Sequence, residues 1–435
     1  MNKKKFYKKS IDIVFLITKT SLLGNKDLDH FLPFLYFLSK NKKFNYTARG
    51  LIFDSKENFN KNKDPKIDFL LNLKNVDLKF VDEGFFKNLI KKFKFILIDN
   101  DWVFSNYLMI ILSKLEFFIS KKINLREKIG KNFLYSDKPV IITLKRLEIA
   151  SEIKIINKKA KVIELTHGSI VCDNKMVHDE HLNKNDEKIN FKKLYKNIDY
   201  LAKTNRREVD EDFAQGMDKN KMIAIGSPRY CKEWLKVKSK YKLDGRDVAS
   251  NKKYKVKILF ILPKSYINIF WDELIRTIDF ISSYEQFEII LLNDKKYFPK
   301  IPKNIKKRDN LSIYLISKEY SSSKLIDWAD IVLHAGTGII WECFMKEKIT
   351  VLPKYLTCNT LISEKYGAGY NLNNRDELRK LCNEALISIE KLKKNYKIKY
   401  RDNNQNFIND FVYAKPNSVP LNIDKLLLKV HDLFK

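Results

Sequence analysis

The chain has 435 residues, 44 % hydrophobic and 31 % charged, with 12 Gly and 10 Pro, a composition that excludes a disordered chain, a collagen-like repeat and a low-complexity segment. Its 84 Lys plus Arg against 53 Asp plus Glu give a formal net charge of +31, enough to attract phosphate-bearing partners or an anionic membrane surface. Arginine supplies only 12 of those cations and lysine 72; base reading relies on the forked guanidinium, so the surplus reads as a solvated surface with no nucleic-acid partner.

The first segment, Met1 to Ser10, is basic and precedes an apolar run, Ile11 to Thr18, that imitates a signal peptide. The run is short, contains Asp12 and lacks a small-residue cleavage site, so it reads as the first strand. Short β-branched and aromatic runs then alternate with longer amphipathic stretches, the pattern of βα units around a parallel sheet. Further strands are expected at Ala48 to Phe53, Leu78 to Val81, Phe95 to Asp99, Val140 to Thr143, Val162 to Leu165, Tyr200 to Lys203 and Met222 to Ile225, with helices at Leu28 to Leu38, Ser105 to Ile119 and Glu208 to Gln215. Residues 236–254 turn polar, as an exposed connector does.

A second series follows. Strands are expected at Lys257 to Leu262, Phe287 to Leu292, Leu311 to Ile316, Ile331 to His334 and Thr350 to Leu352, and helices at Ile269 to Ile281, Ser322 to Trp328, Gly338 to Met345 and Asp376 to Ile389. Two such series imply an α/β protein with two Rossmann-like, doubly wound domains, 1–235 and 255–390, facing a central cleft. Residues 391–435 form a Lys/Asn-rich tail ending in an amphipathic run, Leu421 to Leu433, expected to pack back across that cleft. No stretch reaches the ~18 uninterrupted apolar residues of a membrane span, so the expected location is the cytoplasm, with at most peripheral contact at the inner face of the membrane. Five cysteines without a C-x-x-C pair indicate neither a zinc knuckle nor a disulfide framework.

The segment richest in chemistry is Ala329 to Tyr355. An apolar strand ends at His334, the small residues Ala335, Gly336, Thr337 and Gly338 make a tight turn, and an apolar-faced helix follows. Free amides at such a helix start favour a phosphate. Gly336 and Gly338 permit close backbone approach, Thr337 offers a hydroxyl, and Glu342 stands where a carboxylate takes two ribose hydroxyls.

This segment resembles the donor-binding motif of GT-B glycosyltransferases, although the Gly and Pro usual in its last turn are replaced by Lys346-Glu347-Lys348-Ile349. Within that superfamily it looks most like capsule and surface-polysaccharide transferases and CDP-glycerol glycerophosphotransferases. The resemblance extends to His167, Gly168 and Ser169 after the strand Val162 to Leu165, where those enzymes commonly carry a His-Gly pair, and to Gly226-Ser227-Pro228-Arg229 near the end of the first domain. It implies His167 as general base or phosphate clamp and Arg229 as a bidentate partner of the leaving phosphate, the two catalytic candidates. Gly168 and Ser169 lie on the acceptor side. Lys264 and Ser265, in the first βα loop of the second domain, join His334, Gly336, Thr337, Gly338 and Glu342 as donor-binding candidates.

The function so implied is transfer of a sugar or polyol phosphate from a UDP-, CMP- or CDP-linked donor to a bacterial surface glycan or lipid-linked acceptor, with no cofactor and no metal. Two alternatives stay open: a UDP-N-acetylhexosamine 2-epimerase, whose chemistry calls for several carboxylates, and a non-catalytic binding protein of the same fold. Asp99-Asn100-Asp101 has the Asp-x-Asp form of a metal site, but Asp27-Leu28-Asp29 and Asp210-Glu211-Asp212 match it equally well. His178 and His181 sit in a polar stretch without a third ligand and read as a solvated loop.

Overall fold

The computed structural model describes residues 9–17, 28–41, 44–52, 65–80, 139–144, 154, 157–166, 171–172, 195–214, 216–249, 251–263, 268–293, 301–315, 321–415 and 418–434. The strand expected at Phe95 to Asp99 and the helix at Ser105 to Ile119 lie outside them. In the first half the strands are β1 (Lys9–Ile17), β2 (Phe44–Ile52), β3 (Val76–Phe80), β4 (Pro139–Thr143), β5 (Lys161–Leu165), β6 (Tyr200–Lys203) and β7 (Met222–Ala224). They form one sheet in the order β3-β2-β1-β4-β5-β6-β7. Its helices are α1 (Leu28–Lys40), α2 (Pro65–Leu71) and α3 (Arg206–Ala214), and α4 (Lys232–Lys240) follows β7.

The second sheet contains β8 (Val256–Ile261), β9 (Phe287–Asn293), β10 (Leu311–Leu315), β11 (Ile331–His334), β12 (Ile349–Pro353) and β13 (Tyr370–Leu372). Their order is β10-β9-β8-β11-β12-β13. Every one of these neighbours pairs in parallel. Its helices are α5 (Trp271–Ser282), α6 (Lys303–Lys306), α7 (Ser322–Trp328), α8 (Ile340–Met345), α9 (Ile362–Lys365) and α10 (Arg375–Ile387). The long α11 (Ile389–Phe411) and the terminal α12 (Val419–Asp432) complete the chain.

Helices on both faces explain why these strands are nearly continuous apolar runs. Ile258 and Phe260 of β8 point into one core with Leu274 and Ile278 of α5. Their alternates, Leu259 and Ile261, point into another with Leu325 and Ile326 of α7 and Cys343 of α8. The two-residue alternation of a strand thus serves both layers at once.

The chain divides into two compact units, Met1–Leu165 with Lys192–Leu201 and Asp424–Lys435, and Thr166–Phe191 with Ala202–Ile423. Within the first, Asn41 Nδ2 on the α1 side donates to Asp424 Oδ1 of α12, and Lys161 stands 5.8 Å from the centre of the Phe434 ring.

Several elements differ from the sequence reading. The polar connector begins inside a helix: α4 runs to Lys240 and buries Trp234, Val237 and Lys238, the last made tolerable by an ion pair with Asp244 at 2.9 Å. The Lys/Asn-rich tail is mostly α11, 23 residues long, held by buried Leu392, Tyr396, Phe407 and Phe411. β13, three residues long, is too short to leave a periodic signal.

Candidate functional site

In the second sheet the strand order reverses at β8, which pairs with β9 on one side and β11 on the other. Ile261 is in register with both Leu292 and His334. Open α/β sheets bind ligands outside the carboxyl ends of their strands at such a reversal, where loops leave toward opposite faces and open a crevice. The residues that meet this condition are Leu262 and Pro263 after β8 and Ala335 to Gly338 after β11. Lys264 and Ser265 lie just beyond, outside the described residues.

His334 is the last residue of β11 and is 2 % exposed. Burial pushes its pKa down to about 3, so the imidazole is neutral at physiological pH and acts through hydrogen bonds rather than charge. Its Nδ1 has no hydrogen-bond partner, although buried polar atoms are nearly always paired. Gly336 has φ of 108°, a left-handed conformation that residues with a Cβ rarely adopt. At Gly338 an added Cβ would meet nothing within 4 Å, so space lies open beside the backbone there.

The helix starts at Ile340, two residues later than the pattern suggests. Thr337 closes a local turn first, its Oγ1 accepting from the Ile339 amide at 3.4 Å and its carbonyl from the Ile340 amide at 3.4 Å. A helix of 6 residues is under two turns, so any anion seat here rests on local amides and on His334 more than on a long helix dipole.

Glu342 is 1 % exposed and sits in a network of charges. Lys346, one turn on, stands 2.9 Å from Glu342 Oε1, and Lys238 of α4 stands 3.6 Å from the same oxygen. Ser323 of α7 donates its hydroxyl to Oε1 as well. Lys346 also pairs with Asp327 at 2.8 Å. Burial alone would raise the carboxyl pKa; Lys238 and Lys346 overrule it and hold Glu342 down at about 2. The sequence reading sets Glu342 against two ribose hydroxyls; the structure buries it, and its side chain joins α4, α7 and α8. On the rest of α8, Trp341 stacks on Phe407 and Phe411 of α11 at 4.6 and 5.0 Å between ring centres, which fixes the helix that carries Glu342.

Arg229 lies in the turn after β7, its guanidinium 5.1 Å from the Tyr230 ring centre. The preceding Gly226 has φ of +83°, and a Cβ there would come within 2.5 Å of the Val412 carbonyl oxygen. The Gly-Ser-Pro-Arg turn is therefore built to let the end of α11 approach. His167, Gly168 and Ser169 lie outside the described residues, as do Asp99, Asp101, His178 and His181. The acidic triplet 210–212 is paired: Asp210 with Lys219 at 3.1 Å, Glu211 with Arg207 at 2.7 Å and Asp212 with Lys203 at 2.5 Å. Among the described residues no group of three or more His, Cys, Asp or Glu is placed to hold a metal ion, and no helix is long and apolar enough to cross a membrane.

Sequence reasoning missed Lys238, Ser323, Lys346 and Asn293. Of these only Lys346 left a signal, its i,i+4 spacing from Glu342. Asn293 ends β9 with 2 % exposure.

No family profile and no curated protein matches the sequence. Solved structures do match the fold along nearly its whole length. Anabaena HepE, in complex with UDP and glucose, superposes with a TM-score of 0.50 at 10 % identity, covering 97 % of this chain and 100 % of its own. The UDP-GlcNAc 2-epimerase of Neisseria meningitidis, bound to UDP-GlcNAc, gives 0.52 at 11 % identity, with 96 % and 100 % covered. Arabidopsis thaliana UGT89C1, complexed with UDP, gives 0.52 at 10 % identity, with 97 % and 100 % covered. The chain has a GT-B-like α/β fold.

Proposed function

We propose that this protein is a glycosyltransferase that moves a sugar or polyol phosphate from a UDP-, CMP- or CDP-linked donor to a bacterial surface glycan or lipid-linked acceptor. The observation that carries the reading is His334, a buried neutral imidazole with an unpartnered Nδ1 at the strand-order reversal of the second sheet. In the neutral tautomer that carries its proton on Nδ1, that nitrogen donates to a phosphoryl oxygen of the donor nucleotide. Gly336, Thr337 and Gly338 let the phosphates come close to backbone, and Lys264 and Ser265 add contacts from the β8 loop, while Glu342, held by Lys238, Lys346 and Ser323, fixes the helix behind the turn.

In sugar transfer the acceptor oxygen bonds to the anomeric carbon, the bond from that carbon to the phosphate oxygen breaks, and its electron pair leaves with the nucleotide. The acceptor proton passes to a base, for which His167 is the candidate, with Gly168 and Ser169 beside the acceptor. Arg229 steadies the leaving phosphate, so the reaction proceeds without a metal.

Epimerisation of a UDP-linked sugar is the second reading, because proteins of that activity share the fold. It needs carboxylates to remove and return a proton, and the one carboxylate that this turn and its helix supply, Glu342, is neutralised by two ammonium groups. A thermal-shift screen with UDP, CMP, CDP and GDP sugars, followed by product analysis, tests the proposal, since a ligand of the native state raises its melting temperature. Stabilisation by one donor and release of its free nucleotide when acceptor is added are expected. A sugar inverted at C2 would replace the transferase by the epimerase, and no stabilisation by any nucleotide would leave a binding protein of the same fold.

A further inference from the structure

We infer that Asn293, the last residue of β9, is a ligand-contacting residue that donates from its amide to an acceptor oxygen of a bound nucleoside diphosphate. The inference rests on the donor-site reading above and extends that site across β8.

Three observations carry it. Asn293 is 2 % exposed, yet its Nδ2 has no hydrogen-bond partner. Other buried asparagines do donate from Nδ2: Asn310 to the carbonyls of Ser282 at 3.3 Å and Tyr284 at 2.9 Å, Asn422 to those of Ile225 at 3.5 Å and Tyr413 at 3.2 Å, and Asn359 to Thr357 Oγ1 at 3.2 Å. Orphaned oxygens do occur, at Asn359 and Asn371, but among the described residues Asn293 is the asparagine whose buried amide nitrogen lacks an acceptor.

Position is the second observation. Ile261 at the end of β8 pairs with Leu292 and with His334, so Asn293 stands one residue beyond the register row that holds His334, on the other flank of β8. Alternation along the strands then puts the two on opposite faces of the sheet. They bracket the end of β8, where the strand order reverses and a ligand lies over the sheet edge.

The third is the pairing of orphans. Both His334 Nδ1 and Asn293 Nδ2 are buried without partners, and both end strands that border β8. Unsatisfied polar groups lower the stability of a free protein; two of them beside one crevice are explained together by a ligand that satisfies both. An amide N–H requires an acceptor, and a nucleoside diphosphate is rich in acceptor oxygens.

Asn293→Leu keeps the side chain's approximate size and removes the amide. In the full chain it is expected to melt at the same temperature as wild type or higher, because an orphan donor is gone, and to bind UDP or CDP, whichever wild type prefers, at least about tenfold more weakly by calorimetric titration. Asn293→Ala should show the same loss of affinity and serves if the leucine variant does not fold. Unchanged affinity in either folded variant would overturn the role of Asn293 while leaving the donor site in place. Failure of wild type to bind UDP, CDP, CMP or GDP would overturn the donor-site reading, and the inference with it.

Discussion

Glu342 and His334 are eight residues apart, and both couple the stability of this protein to acid, through different physics. A carboxylate whose folded pKa is held at about 2 against an ordinary 4.5 adds stability that is full above pH 4.5 and is lost as pH falls toward 2, because the unfolded chain takes up the proton first. The buried imidazole, at about 3 against an ordinary 6.5, works in the same direction in a higher window: the unfolded state binds its proton from about pH 6.5 downward. Denaturant unfolding measured from pH 7.5 to 3 should therefore show an acid limb that starts near 6.5 and steepens below 4.5. His334→Leu should remove the upper part and keep the lower. Glu342→Gln should lose about 3 to 5 kcal/mol at neutral pH, since it leaves Lys238 and Lys346 buried beside a neutral group, and its limb below 4.5 should flatten. A wild-type curve flat from 6.5 to 4.5 would mean that His334 is solvated.

Among the elements, two glycine turns have opposite demands and can be told apart by one methyl group each. At Gly226 a Cβ would collide with the Val412 carbonyl, and φ is +83°; the Ser227 amide donates to that same carbonyl at 2.7 Å. Gly226→Ala should lower the melting temperature by several degrees, because neither backbone can yield without breaking the contact that seats the end of α11. At Gly338 the added methyl would meet nothing within 4 Å, so Gly338→Ala should melt as wild type does. If the open space is where a nucleotide approaches the backbone, the same variant should bind nucleotide more weakly. Equal binding by Gly338→Ala would move the ligand away from this turn.

These turns also show what the sequence makes legible. Strands buried on both faces stand out as apolar runs, so β8, β9, β11 and β12 can be read within a residue or two, and the Gly-rich turn after β11 with them. Hidden parts depend on partners far along the chain. Leu392, Tyr396, Phe407 and Phe411 are too widely spaced among Lys and Asn to mark α11 as an apolar stripe; Phe407 and Phe411 bury against Trp341, Phe344 and Tyr366, and Leu392 and Tyr396 in the core of the second sheet. Lys238 reads as surface until Asp244 and Glu342 appear beside it. Asn293 is one polar residue closing a strand, a position with no periodic signal.

For the whole molecule, the question is what the net charge of +31 meets. Lys91 to Lys94 and the side chains of Lys3 to Lys9, two lysine clusters interleaved with Phe or Tyr, lie outside the described residues. α11 offers a face that can be examined: Lys391, Lys394, Ile398 and Arg401 recur at helical spacing and are exposed, Ile398 by 70 %. None of the three cations has an ion-pair partner among the described residues, whereas Lys393 and Lys397 nearby are paired with acidic groups. Unpaired cations around an exposed isoleucine suit a surface that is anionic outside and apolar beneath, where each Lys or Arg adds about 1 kcal/mol. Such attraction extends only over a Debye length, ~8 Å at physiological ionic strength. Co-sedimentation with phosphatidylglycerol vesicles should therefore be strong at low salt, weak at high salt and absent with phosphatidylcholine. Lys391→Glu with Lys394→Glu should reduce it several-fold without changing the melting temperature, since neither side chain is paired. If that double variant binds as wild type does, α11 is not the docking face and the other lysines carry the attraction; equal binding to both lipids would remove the charge from the explanation altogether.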